Sequence, residues 1–386
     1  MSYGPMMSRT STCAAALVAM LSGLLATTTH AEIVKIVIDR RTPVDAVGSS
    51  GSKLGYEEIR GRLFGEVDPK YTQNAIIQDI DEAPRNARGK VEYISTFTLL
   101  RPFDLKKDVG VLLALFPNRG RHQIVSHPGS IDPIYYERGY SVLWVGWQAD
   151  LSERPSADTS AASLTLESML APRARLRNGQ PITGPYLVRV PTLGGASPSL
   201  VRAPTLGGAG PTGTIMKLDQ GRAGPLAYMP VDFDTRKVTL TGGAAEDIEG
   251  KLTGRRYPIA AEDWTWWNCK TDAAADDTAS PADLCIKRLK GVFNPKETYL
   301  LRFTVRDPLV MGLGMAATRD AVSFFRYRQT DSLGTANPLA GRITHVVGQG
   351  LSQVGNLVLA PHGNRDSALA GGEPPSRFAE LPDRTG

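Results

Sequence analysis

Apolar and polar positions along this 386-residue chain change over in short runs, and most of the runs carry the period of strands. "IVKIVID" (33–39), "AIIQDID" (75–81) and "VEYISTFTLL" (91–100) are rich in Val, Ile, Thr and aromatics, which suit a pleated surface. Two others are apolar almost throughout, "VGVLLALFP" (109–117) and "YSVLWVGW" (140–147), as expected of strands buried on both faces. A polar segment separates them, so the pair reads as the start of a parallel sheet. From about 150 to 260 Gly, Pro and Ser become frequent and the strands short ("YLVRV", "KVTLTG", "RRYPI"), which predicts a β-rich insertion.

Further on, "TYLLRFTV" (298–305) is strand-like. Leu313, Ala316, Ala317, Val322, Phe324 and Phe325 then recur as on a buried helix, with Arg319 and Asp320 as a solvated edge or a salt bridge. "ITHVV" (343–347) is the next strand. Strand, helix and strand read as a βαβ unit, whose right-handed crossover implies a parallel sheet. A tandem duplication, "LVRVPTLGGASPS" (187–199) followed by "LVRAPTLGGAGPT" (200–212), reads as a local event in a surface loop, with a paired binding loop as the alternative.

The N-terminus changes the picture. Arg9, the apolar run "CAAALVAMLSGLLA" (13–26), and small residues at Thr29 and Ala31 make residues 1–31 a secretory signal peptide. A short membrane anchor is the alternative, but the run falls short of the roughly 20 residues a span needs. The mature chain is therefore expected to be secreted or periplasmic, with no membrane contact. Cys13 leaves with the leader, and in an oxidising compartment Cys269 and Cys285 are expected to pair, two unpaired thiols being the alternative. A net charge of +5 with scattered Lys and Arg gives no basic patch, so no nucleic-acid partner is expected.

Candidate chemistry sits in "GQGLSQVG" (348–355), directly after "ITHVV". A serine on a tight strand-to-helix turn is exposed for attack, provided its neighbours two positions away are small. Gly350 meets that need upstream of Ser352; downstream Val354 stands where Gly or Ala is usual. An oxyanion hole takes two backbone N–H donors. Gln353 is the candidate after the nucleophile, and Asn118, Arg119 and Gly120 follow a buried strand in the right order to supply the second.

A set of runs in fixed order carries a resemblance: "GEVDP" (65–69), "APRNARGKVEY" (83–93), "NRG" (118–120), "RGYSVLWVGWQADL" (138–151), "PITGP" (181–185), "DWTW" (263–266), "RDPLVMGLGMAATRDAVSFFRY" (306–327) and "NPLAGRITHVVGQGLSQVG" (337–355). Over about 55–355 the chain resembles bacterial, often exported, α/β-hydrolase-domain proteins. That resemblance implies an α/β fold with a mostly parallel hydrolase-type sheet. It also implies a Ser–His–acid mechanism with Ser352 as the nucleophile, and carboxylic esters are taken as the substrate class.

The C-terminal part departs from that pattern. In such a fold the acid and then the histidine follow the serine, whereas here His362 precedes Asp366 and no strand pattern follows. His122, His127 and His345 lie upstream and read as structural or surface residues. Residues 32–355 are thus expected to form an incomplete domain with its C-terminal strands missing, and 356–386 a disordered tail. On this reading the chain is a truncated, weakly active or inactive hydrolase. The alternative is a non-catalytic exported binding protein, with Trp144, Trp147, Trp264, Trp266 and Trp267 stacking on sugars or polyphenols or packing in the core. No metal-ligand spacing and no nucleotide-binding glycine pattern occurs, so no metal or cofactor is expected.

Overall fold

A computed structural model of the protein describes residues 31–121, 132–151, 153–190, 214–218, 226–243, 255–294 and 297–350. In chain order the strands are β1 (Ala31–Val47), β2 (Lys53–Val67), β3 (Val91–Pro102), β4 (Val111–Phe116), β5 (Ser141–Val145), β6 (Met169–Leu170), β7 (Thr183–Val190) and β8 (Ile215–Lys217). They continue as β9 (Met229–Pro230), β10 (Thr239–Gly243), β11 (Arg256–Ile259), β12 (Trp264–Asn268), β13 (Ala273–Ala274), β14 (Leu284–Arg288), β15 (Thr298–Arg306) and β16 (His345–Gly350). Among the described residues two α-helices accompany them, α1 (Pro133–Glu137) and α2 (Leu313–Tyr327).

Three sheets form. The largest has the order β1-β2-β3-β5-β4-β16, with β6 added beside β3. Its first three strands are antiparallel, and β3 meets β5 antiparallel too; only β5, β4 and β16 run parallel. The second sheet (β11-β10-β15-β7, with β9 on β15) and the third (β13-β12-β14-β8) are antiparallel throughout.

The expected mostly parallel α/β-hydrolase-type sheet is therefore wrong. The described residues are β-rich, with 43% strand against 14% helix, and their sheets are mostly antiparallel. The physical reason lies in the strand–helix–strand reading of 298–347. β15 pairs antiparallel with β7 and β10 in the second sheet, whereas β16 pairs with β4 in the first. Helix α2 thus joins two sheets instead of crossing over within one, and the handedness rule for parallel crossovers never applied.

Each sheet buries its apolar face. α2 lays Leu313, Ala316, Ala317, Ala321, Phe324 and Phe325 against the large sheet, where Phe97, Leu99, Leu112 and Leu143 are fully covered. Its other side leaves Met315 and Tyr327 exposed, as an amphipathic helix should. Arg319 and Asp320 form a salt bridge at 2.7 Å that is buried, not a solvated edge. The second and third sheets share an aromatic core, with Trp266 edge-on to Phe303 at 5.2 Å and Phe293 to Tyr299 at 5.0 Å. Cys269 and Cys285 are joined across the third sheet as expected, with Cα atoms 5.9 Å apart. A bridge over a loop of this size contributes about 3 kcal/mol in the chain-entropy account.

Candidate functional site

Three parallel strands end together. Gly350 of β16 stands opposite Phe116 of β4, and Leu115 of β4 opposite Trp144 of β5. In open α/β sheets ligands bind beyond the carboxyl ends of the parallel strands, and the parallel part of this mixed sheet has three such ends side by side. The chain leaves β4 through Pro117 into Asn118–Arg121, and leaves β5 through Gly146 and Trp147. It leaves β16 at Gly350, two positions before Ser352 in the sequence.

Asn118 to Arg121 is a tight turn. The Arg121 N–H donates to the Asn118 carbonyl at 3.1 Å, and the central residues Arg119 and Gly120 have φ of 51° and 73°. Positive φ at both central positions is the requirement of a type I′ turn, easy for glycine and uncommon for arginine. Gly120 also has no space for a side chain: a Cβ there would stand 2.5 Å from the Glu167 carbonyl oxygen and 2.7 Å from Leu151 Cδ1. Two contacts then tie the exits of β4 and β5 together. Arg119 Nη1 donates to Asp150 Oδ2 at 2.6 Å, and Trp147 Nε1 donates to the Pro117 carbonyl at 2.8 Å.

Polar groups gather next to this turn. Glu167 is 1% exposed, and its carboxylate accepts from the hydroxyls of Thr96 and Thr98 at 2.5 Å each. Its N–H donates to the Gly120 carbonyl at 2.7 Å. On the Asp150 side, burial holds the Arg154 guanidinium below its ordinary pKa, against the pull of Asp150 and Tyr228. Burial lowers Arg173 as well, and the like charge of Arg154 adds to it. Arg173 is anchored by donating to the carbonyls of Asp307 at 2.8 Å and Ala227 at 2.9 Å. Burial, then the neighbouring Tyr186 and Asp150, raise Tyr228. The edge therefore offers main-chain donors, a buried carboxylate and a concentration of guanidinium charge.

Of the residues singled out from the sequence, Asn118, Arg119 and Gly120 stand at this edge. Ser352 and Gln353 lie outside the described residues, as do His122, His127, His362, Asp366 and most of the duplicated segment. His345 begins β16, is exposed, and shares a hydrogen bond with Thr344 Oγ1 at 2.9 Å. Five residues of strand place it about 16 Å from the Gly350 end. Trp144, Trp264 and Trp266 are each 1% exposed and present no face to a ligand. Trp147 is half-buried at the edge, and Trp267 lies under Lys287, whose Nζ is 3.8 Å from the ring centre. Asp150, Arg154, Glu167 and Arg173 were not foreseen. The one sequence signal was the polar "QAD" (148–150) directly after an apolar strand.

Comparison with protein-family models, with curated proteins and with solved structures found no match at all. The resemblance to α/β-hydrolase-domain proteins is overturned by that result together with the antiparallel sheets. No group of three or more potential metal ligands occurs among the described residues. No helix among them is long and apolar enough to cross a membrane.

Proposed function

We propose that this protein is an exported serine-type hydrolase of carboxylic esters, working at the carboxyl edge of β4, β5 and β16. The observation that carries the reading is the parallel register of β16 with β4. It brings the strand leading to Ser352 and the strand leading to the Asn118–Gly120 turn to the same edge, with Gly350 opposite Phe116. In the reaction the Ser352 hydroxyl attacks the ester carbonyl while a base takes its proton. The Gly120 N–H makes no backbone hydrogen bond among the described residues and serves the developing oxyanion. Sitting at the far end of β16, His345 is not that base. Export draws its support from the leader pattern of residues 1–31 and from the disulfide.

The alternative, a binding protein acting through its tryptophans, loses three of the five rings to the core. Covalent labelling is the appropriate test, because it reports the nucleophile even where turnover is slow. A fluorophosphonate probe is expected to label the full, oxidised chain, and Ser352→Ala to abolish the label. Folded protein that takes no label, or a label that survives the substitution, overturns the reading.

A further inference from the structure

The antiparallel half of the large sheet holds a cleft of about 910 Å³, lined by the end of β2, the start of β3, the 84–88 turn, residues 170–172, and Leu333. That volume is within the range of small-molecule sites. Its floor is aromatic for a reason visible in the register. Gly65 stands opposite Tyr93, and a Cβ on Gly65 would fall 2.1 Å from the Tyr93 ring, so only glycine lets the ring lie across the strand. The ring is fixed from below, since its hydroxyl donates to Asp320 Oδ2 at 2.9 Å and Arg319 Nε holds the same carboxylate at 2.7 Å. Leu170 and Leu333 supply exposed apolar surface at the rim, 39% and 72% accessible.

One polar group in the lining is incomplete. Glu66 is 2% exposed, and its Oε1 accepts from Asn86 Nδ2 at 2.8 Å and from Arg88. Its Oε2 is buried without a hydrogen-bond partner among the described residues. Asn86 has nothing left to give, because the same Nδ2 also donates to Glu92 Oε1 at 2.9 Å. Arg88 already offsets the charge of Glu66, so what the site lacks is a donor and not a cation. A carboxylate head would meet the unpartnered oxygen; an ammonium would meet Lys35, Arg85 and Arg88, which outnumber the carboxylates Glu66 and Glu92 in the same lining. The Arg88 side chain is 57% exposed against 3% for Glu66, and is the member of the pair able to shift and admit a donor.

We propose that this cleft binds a neutral, largely apolar small molecule that presents a hydroxyl or amide N–H to Glu66 Oε2. None of the lining residues belongs to β16 or to the Asn118–Arg121 turn, and the proposal holds whether or not Ser352 reacts. The test is calorimetric titration of the full chain with 4-butylphenol and with its methyl ether, 4-butylanisole, which differ in the donor alone. The phenol is expected to bind about tenfold more tightly, the usual worth of one hydrogen bond to a charged group. Glu66→Met should bring the two ligands to within about twofold of each other, and Leu170→Arg should weaken both by about tenfold through blocking the apolar body. Should Glu66→Met fail to fold, the wild-type pair and Leu170→Arg decide. Equal affinities in the wild type, a preference that survives Glu66→Met, no loss in Leu170→Arg, no binding, or tighter binding of 4-butylbenzoate or 4-butylbenzylammonium would each overturn the proposal.

Discussion

Strands β1, β2 and β3 run for 17, 15 and 12 residues, whereas β5, β4 and β16 run for only 5, 6 and 6, although all six belong to one sheet. The long antiparallel half buries charge. Arg62 grips Asp39 through two hydrogen bonds at 2.8 and 3.0 Å, Glu66 holds Arg88, and Tyr93 and Arg319 share Asp320. In the short parallel half, Val142, Leu143, Trp144 and Val145 are all covered, and backbones that touch add to the Arg119–Asp150 pair in setting the order. A Cβ on Gly146 would lie 2.1 Å from the Ser168 carbonyl oxygen, and one on Gly314 would lie 1.8 Å from that of Trp147. Charge pairs fix side chains while leaving a cleft between them; steric contact fixes the main chain and leaves no slack. The ligand cleft and the reaction edge proposed above fit that division, because positioning reactive groups rewards a rigid frame.

The steric half is where a single atom should do most harm. Gly146→Ala puts its methyl against the Ser168 backbone, which cannot turn aside as a side chain would. That segment is itself held to β3, with the Thr96 N–H donating to the Ser168 carbonyl at 3.0 Å and the Ser168 N–H to Thr96 Oγ1 at 2.9 Å. We expect a loss of about 3 kcal/mol, at the upper end of overpacking effects, measured by urea unfolding. A loss below about 1 kcal/mol would mean that the exit of β5 has room to move, and the contrast between the halves would fall.

The same contrast explains what could be read from the sequence. In the parallel half the apolar runs at 109–117 and 140–147 gave β4 and β5 directly, since strands covered on both faces have no polar positions to confuse the pattern. β15 and α2 were legible from apolar positions that recur along them. The end of β16 was not, because "GQG" looks like a turn, yet the strand continues to Gly350 in register with β4. The antiparallel half was harder to read. β2 went unrecognised because "GYEEIRGRLFGEV" mixes charge and glycine, and its glycines make sense only across the strands, Gly61 against the Val37 carbonyl oxygen and the Phe97 ring, Gly65 against the Tyr93 ring. β1 runs on through Pro43, which an edge strand tolerates. "AIIQDID" alternates like a strand but is turns and a short 3₁₀ segment around Asp79 at φ 61°. Glu66 and Asn86 lie 20 positions apart in sequence, and no local pattern could have joined them.

Tyr93→Phe sharpens the comparison in the charged half, with an effect second in size. The ring that floors the cleft remains, and only the donor to Asp320 goes. Burial already pushes the Asp320 carboxyl above its ordinary pKa, and Arg319 and Tyr93 only partly offset that push. Deleting a hydrogen bond to a buried, charged acceptor costs about 2 kcal/mol, to be measured by chemical denaturation of the variant beside the wild type. A neutral result would mean that Arg319 alone satisfies Asp320, and the half would depend on charge less than its contacts imply.

The smallest effect is expected where charge meets chiefly main-chain donors. Asp331 is 6% exposed and accepts three N–H groups, from Ile36 at 2.9 Å, Leu333 at 2.9 Å and Thr335 at 2.8 Å, so it clips the 331–335 turn onto β1. Burial acts to raise its pKa, but these donors outweigh burial, and the folded-state value lies below the ordinary 3.8. The unfolded chain therefore takes up the proton first as pH falls. Stabilisation by the carboxylate is complete above pH 3.8 and is lost as pH drops through the folded-state value. Asp331→Asn keeps an acceptor and removes the charge, so it should cost about 1 kcal/mol near neutral pH. The gap from wild type should narrow in acid below pH 3.8. Paired unfolding curves at neutral and acid pH measure both. A gap of constant size would place the interaction in hydrogen-bond geometry alone, and the clip on β1 would then be steric, like the exits of β4 and β5.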